Sequence, residues 1–213
     1  MISGSLSSCV LMYTVMMSLS IVLPFFLSNA QKLPTLHVGL LLSVGPFVST
    51  LFSPIGAKAA VRFGNRPIMI LGMIVLGVGS LSMVTLAPSS SILGFAIRIA
   101  IASAGFALFQ APNNAAVMIS ARPEQRGTIS GLLNLARTLG QATGASLMGS
   151  IFNYFTMASG GKDISVNSAS AAAITSGVHG AFIAATILVI IAIVIGMTTF
   201  HFNNHLKSIK QGS

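Results

Sequence analysis

Apolar residues fall into six long stretches, parted by short segments that hold most of the charge. A helix needs about 20 apolar residues to cross the roughly 30 Å hydrocarbon core of a bilayer. Stretches of that order run over about 6–27, 36–57, 67–86, 92–119, 127–155 and 179–200. The second lies between Lys32 and Lys58 and carries no charge, whereas Arg98 interrupts the fourth and Arg137 the fifth. The mostly polar run from Ser159 to Ser170 is a poor occupant of lipid and predicts a loop. The pattern therefore predicts an all-α membrane protein, a single domain over 1–213 built as a six-transmembrane-helix bundle, with a tail over 201–213.

Composition strengthens this reading. Only 6% of residues are charged, 54% are hydrophobic and the mean hydropathy is +0.90. A soluble domain carries about 25% charged residues, so this surface needs lipid as its solvent. The net charge of +9 does not mark a nucleic-acid binder. Its basic residues sit singly between apolar stretches and form no patch on one face. They mark orientation instead. Lys58, Arg62, Arg66, Arg122, Arg126, Lys207 and Lys210 fall on one side, and only Lys32 and Lys162 on the other. The positive-inside rule then places both termini in the cytoplasm of a multi-pass protein of the inner (plasma) membrane. The single cysteine, Cys9, excludes an intrachain disulfide. The residues Leu6 to Cys9 superficially resemble a lipoprotein cleavage box. They lack the preceding basic and apolar regions, and Cys9 reads as a small core residue.

Polar residues inside the stretches carry the candidate chemistry. In the fifth, Ser130, Asn134, Arg137 and Gln141 recur at spacings that place them on one helix face. An arginine facing lipid at the bilayer centre costs about 2.5–3.5 kcal/mol on insertion scales, so this face must meet protein or a water-filled cavity. At 1.5 Å per residue from Gly127, Arg137 lies roughly 15 Å deep, near the midplane where transport sites form. Cavity lining is the expectation, and an interhelical hydrogen-bond network is the alternative. Ala136, Gly140 and Gly144 form a second face of small residues suited to close helix packing. In the fourth stretch Arg98 either lines the cavity or snorkels to the interface. Gln110, Asn113 and Asn114 flank Pro112 and suit either a cavity wall or structural hydrogen bonds.

Acids are conspicuously few. Glu124 and Asp163 are the only carboxylates, both outside the apolar stretches, and His37, His179, His201 and His205 lie near the ends. A buried proton relay normally uses such groups, so none is expected at mid-membrane. No metal-ligand spacing, phosphate-cradling loop or nucleophile with a positioned base is present. Neither an enzyme nor a bound metal or cofactor is expected.

The run 57–67 holds Arg62, Gly64 and Arg66 and resembles the basic loop between the second and third helices of each half of major facilitator superfamily transporters. Val61 stands where that pattern most often has Asp, and Ala57 where it has Gly. Pro123, Glu124, Gln125, Arg126 and Gly127, followed by Ser130, Gly131, Asn134, Arg137, Gly140 and Gly144, are similar to the stretch after the fourth helix of the C-terminal half. The arrangement resembles the fourteen-helix drug/proton antiporters of the EmrB/QacA type. Ile101 and Ala102 replace the Gln-Gly of the fourth-helix motif that Arg98 otherwise matches.

The resemblance implies one half of the major facilitator fold, with its 3+3 helix repeat. It implies a secondary transporter half that drives efflux of small amphipathic compounds or drugs with protons. Arg62, Gly64 and Arg66 would form a cytoplasmic gating loop. The partners expected are the lipid bilayer, a small-molecule substrate, and an N-terminal half or a second copy of the chain. A facing bundle bearing a carboxylate would pair the membrane arginines and supply the proton carrier. The alternative is a truncated or vestigial six-helix domain that does not transport and needs a partner half.

Overall fold

The computed structural model describes residues 2–160 and 169–211. Helix α1 spans Ile2–Phe25 and continues into a π-helical turn, Phe26–Ala30. Helix α2 spans Thr35–Phe63, α3 Asn65–Met83 and α4 Ile92–Ile119. A short 3-10 turn, Pro123–Gln125, leads into α5, Arg126–Gly160, and α6 covers Ala171–Gln211. Five of these six helices are long and apolar enough to cross a membrane on composition alone. The exception is α5, whose Ser, Thr, Asn and Gln residues dilute its apolar content.

Helix ends depart from the apolar stretches. Helix α2 runs through Lys58 to Phe63, and α6 begins at Ala171, well before His179. An apolar stretch measures lipid thickness, whereas a helix continues wherever residues favour it. Ala171, Ala172 and Ala173 are strong helix formers, and Ser170 caps them by accepting from the Ala173 N–H at 3.2 Å. Ser159 and Gly160 close α5 instead of opening a loop. Residues 161–168 of that polar run, with Lys162 and Asp163, lie outside the described residues, as do the side chains of His201, His205, Lys207 and Lys210.

Proline and glycine shape two junctions. Pro24 lacks the N–H that continues a helical ladder and crowds the preceding turn. The chain beyond it widens, and Gln31 N–H donates to the Phe26 carbonyl at 3.0 Å. Between α2 and α3 stands a single residue, Gly64, at φ +93° and ψ 151°. That region of backbone space is essentially reserved for glycine.

Contacts at the two ends of the bundle fix its direction. Gly4 and Ser5 of α1, Arg66 of α3, Ser120 after α4 and Gly196 of α6 line one small pocket. At the opposite end Gln31 Nε2 donates to the Ser90 carbonyl at 3.0 Å, and His179 Nε2 donates to the Leu86 carbonyl at 2.7 Å. The start of α1 and the later part of α6 therefore share an end.

The packing repeats. Helix α1 packs on α5 as α4 packs on α2, and α3 on α4 as α6 on α1, while α1 meets α4 and α3 meets α6. Exchanging the first three helices with the last three preserves this set, so the bundle is a 3+3 repeat. Glycines let backbones touch where lipid offers no hydrophobic drive and van der Waals packing must hold helices together. A Cβ on Gly79 would stand 2.6 Å from Ala102 Cα, and one on Gly144 2.7 Å from Thr14 Cα. Open faces remain on α2 and α5, and α3 and α6 also expose large apolar side chains. On α2, Leu36, Leu40, Phe47, Leu51 and Ile55 are all more than half exposed, and α5 exposes Ser130, Asn134 and Gln141.

Candidate functional site

A cleft of about 370 Å³ opens between α1, α2 and α4. Met16, Leu19 and Leu23 of α1, Leu42 and Pro46 of α2, and Ile99 and Phe106 of α4 make its apolar wall. Ser20, Ser49, Ser103 and Gln110 are its polar groups, and no charged side chain lines it. Local sequence builds this shape. Gly45 brings α2 against α4, where an added Cβ would lie 3.0 Å from Ser103 Oγ. Ser49 Oγ donates to the Ser103 carbonyl at 3.4 Å. Pro46 has no N–H to offer the Leu42 carbonyl one helical turn earlier, so the α2 wall presents a backbone acceptor as well as side chains.

Behind Gln110 lies a polar cluster that joins three helices. Gln110 Nε2 of α4 donates to the Tyr13 hydroxyl of α1. The Tyr13 ring meets the Phe106 edge at 5.0 Å between centroids. The Arg137 guanidinium of α5 stands 6.0 Å from the centroid of the same ring, at the outer limit of a cation–π contact. Arg137 Nε is buried and has no hydrogen-bond partner among the described residues. The cluster is positioned by the α1–α5 seam. Ala136, Gly140 and Gly144 are buried there, and Thr14 Oγ1 donates to the Gly140 carbonyl at 3.1 Å.

The residues singled out in the sequence thus occupy different places. Gln110 lines the cleft and Arg137 backs it through Tyr13. Ser130, Asn134 and Gln141 lie exposed along α5 and do not border the cleft. Asn113 is fully buried, with neither amide atom hydrogen-bonded among the described residues, and Asn114 is half-buried with its Oδ1 likewise unpartnered. Arg98 Nη2 donates to Thr85 Oγ1 at 3.0 Å, tying α4 to the start of the α3–α4 connection. At the other end the Arg62 guanidinium covers the Phe63 ring at 5.3 Å. Gly64, Arg66 and Ser120 border a shallow pocket of about 410 Å³ there.

Ser49, Ser103 and the bond from Gln110 to Tyr13 escaped the sequence reading. The available signal for Tyr13 was a phenol in the middle of an apolar run, since a buried Tyr hydroxyl usually finds a partner. The two serines had none, because single hydroxyls occur throughout the apolar stretches. No group of three or more His, Cys, Asp or Glu side chains gathers among the described residues.

A six-helix 3+3 bundle with an open cleft between α1, α2 and α4 is an architecture suited to a membrane transport protein. The chain belongs to the Major Facilitator Superfamily, whose pattern it matches over residues 5–212. It is 30% identical over 190 residues to the uncharacterized transporter YebQ of Escherichia coli, covering 88% of this chain and 38% of that protein. It is 32% identical over 119 residues to the multidrug resistance protein MdtH of Citrobacter koseri, covering 56% of this chain and 29% of that one. The solved proton:xylose symporter XylE superposes with a TM-score of 0.69 at 16% identity, over 92% of this chain and 43% of XylE. That last likeness is one of fold. The chain spans less than half the length of each of these proteins.

Proposed function

We propose that this chain acts as one half of a secondary-active transporter, and that its cleft forms one wall of a substrate site shared with a second six-helix half. The observation that carries the reading is the cleft itself, open beside the exposed α2 face. A central site between two bundles, exposed alternately by their rocking, needs such an opening near mid-membrane. Ser130, Asn134 and Gln141 would then line the aqueous path between the halves together with Arg137.

The direction we favour is proton-driven efflux of small amphipathic compounds or drugs, within the fourteen-helix antiporter branch. Relatives named for multidrug resistance and for methylenomycin A resistance support it. The proton carrier would lie in the partner half, because Glu124 and Asp163 are this chain's only carboxylates and Glu124 sits in the short turn before α5. We place the protein in the inner membrane with both termini cytoplasmic. Lys58, Arg62, Arg66, Arg122 and Arg126 cluster towards the end of the bundle where α1 begins, which is the orientation that the positive-inside rule favours. Arg62, Gly64 and Arg66 would gate that side.

Vesicles holding the chain with and without an N-terminal half test this reading. Flux driven by a pH gradient should need both, and Arg137→Ala should abolish it while expression persists. Arg137→Lys should be intermediate, since Lys keeps the charge but loses the planar donor fork. Robust coupled flux from the chain alone would replace the half reading with a homodimer. No flux with any partner half would point to a domain that does not transport.

A further inference from the structure

The cleft contains no charged side chain, yet the Arg137 guanidinium stands behind it, beyond Gln110 and Tyr13. We propose that it discriminates ligands by charge, accepting aromatic amphipaths that are anionic or neutral and disfavouring cationic ones, with Arg137 and Tyr13 as the discriminating residues. The proposal rests on the reading of the cleft as the substrate site.

Three observations carry it. First, the lining hydroxyls of Ser20, Ser49 and Ser103 both donate and accept, so they cannot tell one charge from the other. Second, the groups behind Gln110 present donors in excess. The Tyr13 oxygen already accepts from Gln110, which leaves its own proton to give. Arg137 adds a buried Nε–H with no acceptor among the described residues. A buried donor left unmade is costly; neither residue lines the cleft, so both act on a carboxylate, sulfonate or phosphate head at its Gln110 end through their charge and dipole. Third, no carboxylate among the described residues cancels the guanidinium charge: Glu124, the one such group there, is exposed in the turn before α5.

The volume and walls set the rest of the ligand. About 370 Å³ holds a fused two-ring aromatic with a short polar arm. Leu, Met and Phe side chains suit the rings, and the Gln110 end suits the arm. At separations on the order of 10 Å and an effective dielectric of about 20 to 40, reversing the ligand's charge changes binding roughly tenfold to a few hundredfold.

Three ligands sharing a naphthalene ring test this: 1-naphthylacetate, 1-naphthylethanol and 1-naphthylethylamine. Each is measured by equilibrium dialysis against the full chain in zwitterionic nanodiscs, with empty nanodiscs subtracted. The acetate should bind at least tenfold more tightly than the amine. Arg137→Gln should bring the two within about twofold, Arg137→Lys should preserve the preference, and the exposed, distant Arg122→Gln should leave it unchanged. Ser20→Phe and Ser49→Phe, which fill the cleft from its rim, should weaken all three ligands, with monodispersity and helical circular dichroism reporting intact folding. Equal binding of acetate and amine, with cleft-filling variants still blocking both, would overturn the charge inference and leave the cleft as the site. A preference that survives Arg137→Gln would overturn it too. Binding indifferent to both fillers would remove the cleft reading and this inference with it.

Discussion

The α3–α4 seam and the outer face of α2 are both helical and both apolar, yet they are built to opposite ends. At the seam, Gly72, Gly79 and Gly105 have no room for a methyl group, because each faces the backbone of the opposite helix. On α2 the residues Leu36, Leu40 and Phe47 stand 71%, 63% and 67% exposed, and Gly39 has nothing within 4 Å. Hydropathy cannot tell these surfaces apart, since lipid tails are as apolar as leucine. What separates them is residue size. Small residues mark where one helix has settled against another, and large ones mark a face still free to meet lipid or a partner.

Substitution should separate the two regions sharply. The largest effect is expected at Gly105, where a valine would drive its Cβ into the Leu76 backbone. Overpacking against backbone that cannot retreat should cost about 3 kcal/mol or more. Loss of monodisperse protein in detergent would report it. The matched change on an open face, Gly131→Leu, meets nothing within 4 Å and should shift stability by less than about 0.5 kcal/mol. If both changes were equally tolerated, the contrast would collapse.

A smaller loss is expected at the α1–α5 seam. A Cβ on Gly140 would stand 2.5 Å from the Val10 carbonyl oxygen and 2.8 Å from Tyr13 Cβ. Gly140→Val should cost about 1–3 kcal/mol, lower the unfolding temperature, and displace Tyr13 from Arg137 so that ligand binding falls as well. Intact binding at reduced stability would show that the cluster does not depend on this seam. Gly64→Ala forces an L side chain into glycine-only backbone space and should cost on the order of 1 kcal/mol, read by thermal unfolding. The smallest change in the chain's own stability is expected for Phe47→Ser, within about 0.5 kcal/mol. Its effect should appear instead as reduced co-purification with an N-terminal half, and unchanged co-purification would mean that this part of α2 is not where the halves meet.

Much of the architecture was written in the apolar stretches. Six of them correspond to six helices, including α5, whose hydropathy alone is too low for a span. Its mostly apolar run over 127–155, interrupted by Arg137, made it recognisable. Helix ends were less legible. Lys58 and Arg62 lie inside α2, and Ala171 opens α6, since the membrane limits the apolar stretch but not the hydrogen-bond ladder. The site was legible only in part. Face arithmetic singled out Arg137 and Gln110, but Tyr13 lies 97 residues from Gln110 along the chain, and pairing across that distance depends on which helices are neighbours. Asn113 also shows the limit of spacing arguments. Three residues from Gln110 is one turn, yet it turns the side chain from the cleft into a fully buried position.

The Gly64 junction has a mechanical consequence. Phe63 ends α2 and Asn65 begins α3, so the two rods are separated by two Cα steps of about 3.8 Å each. They cannot slide past one another or draw apart at that end. A change in their relative tilt must be a rotation about the hinge, largest at the far tips and nearly zero at Gly64. The amide there donates to the Ala60 carbonyl at 2.9 Å, which anchors the pivot to the last turn of α2.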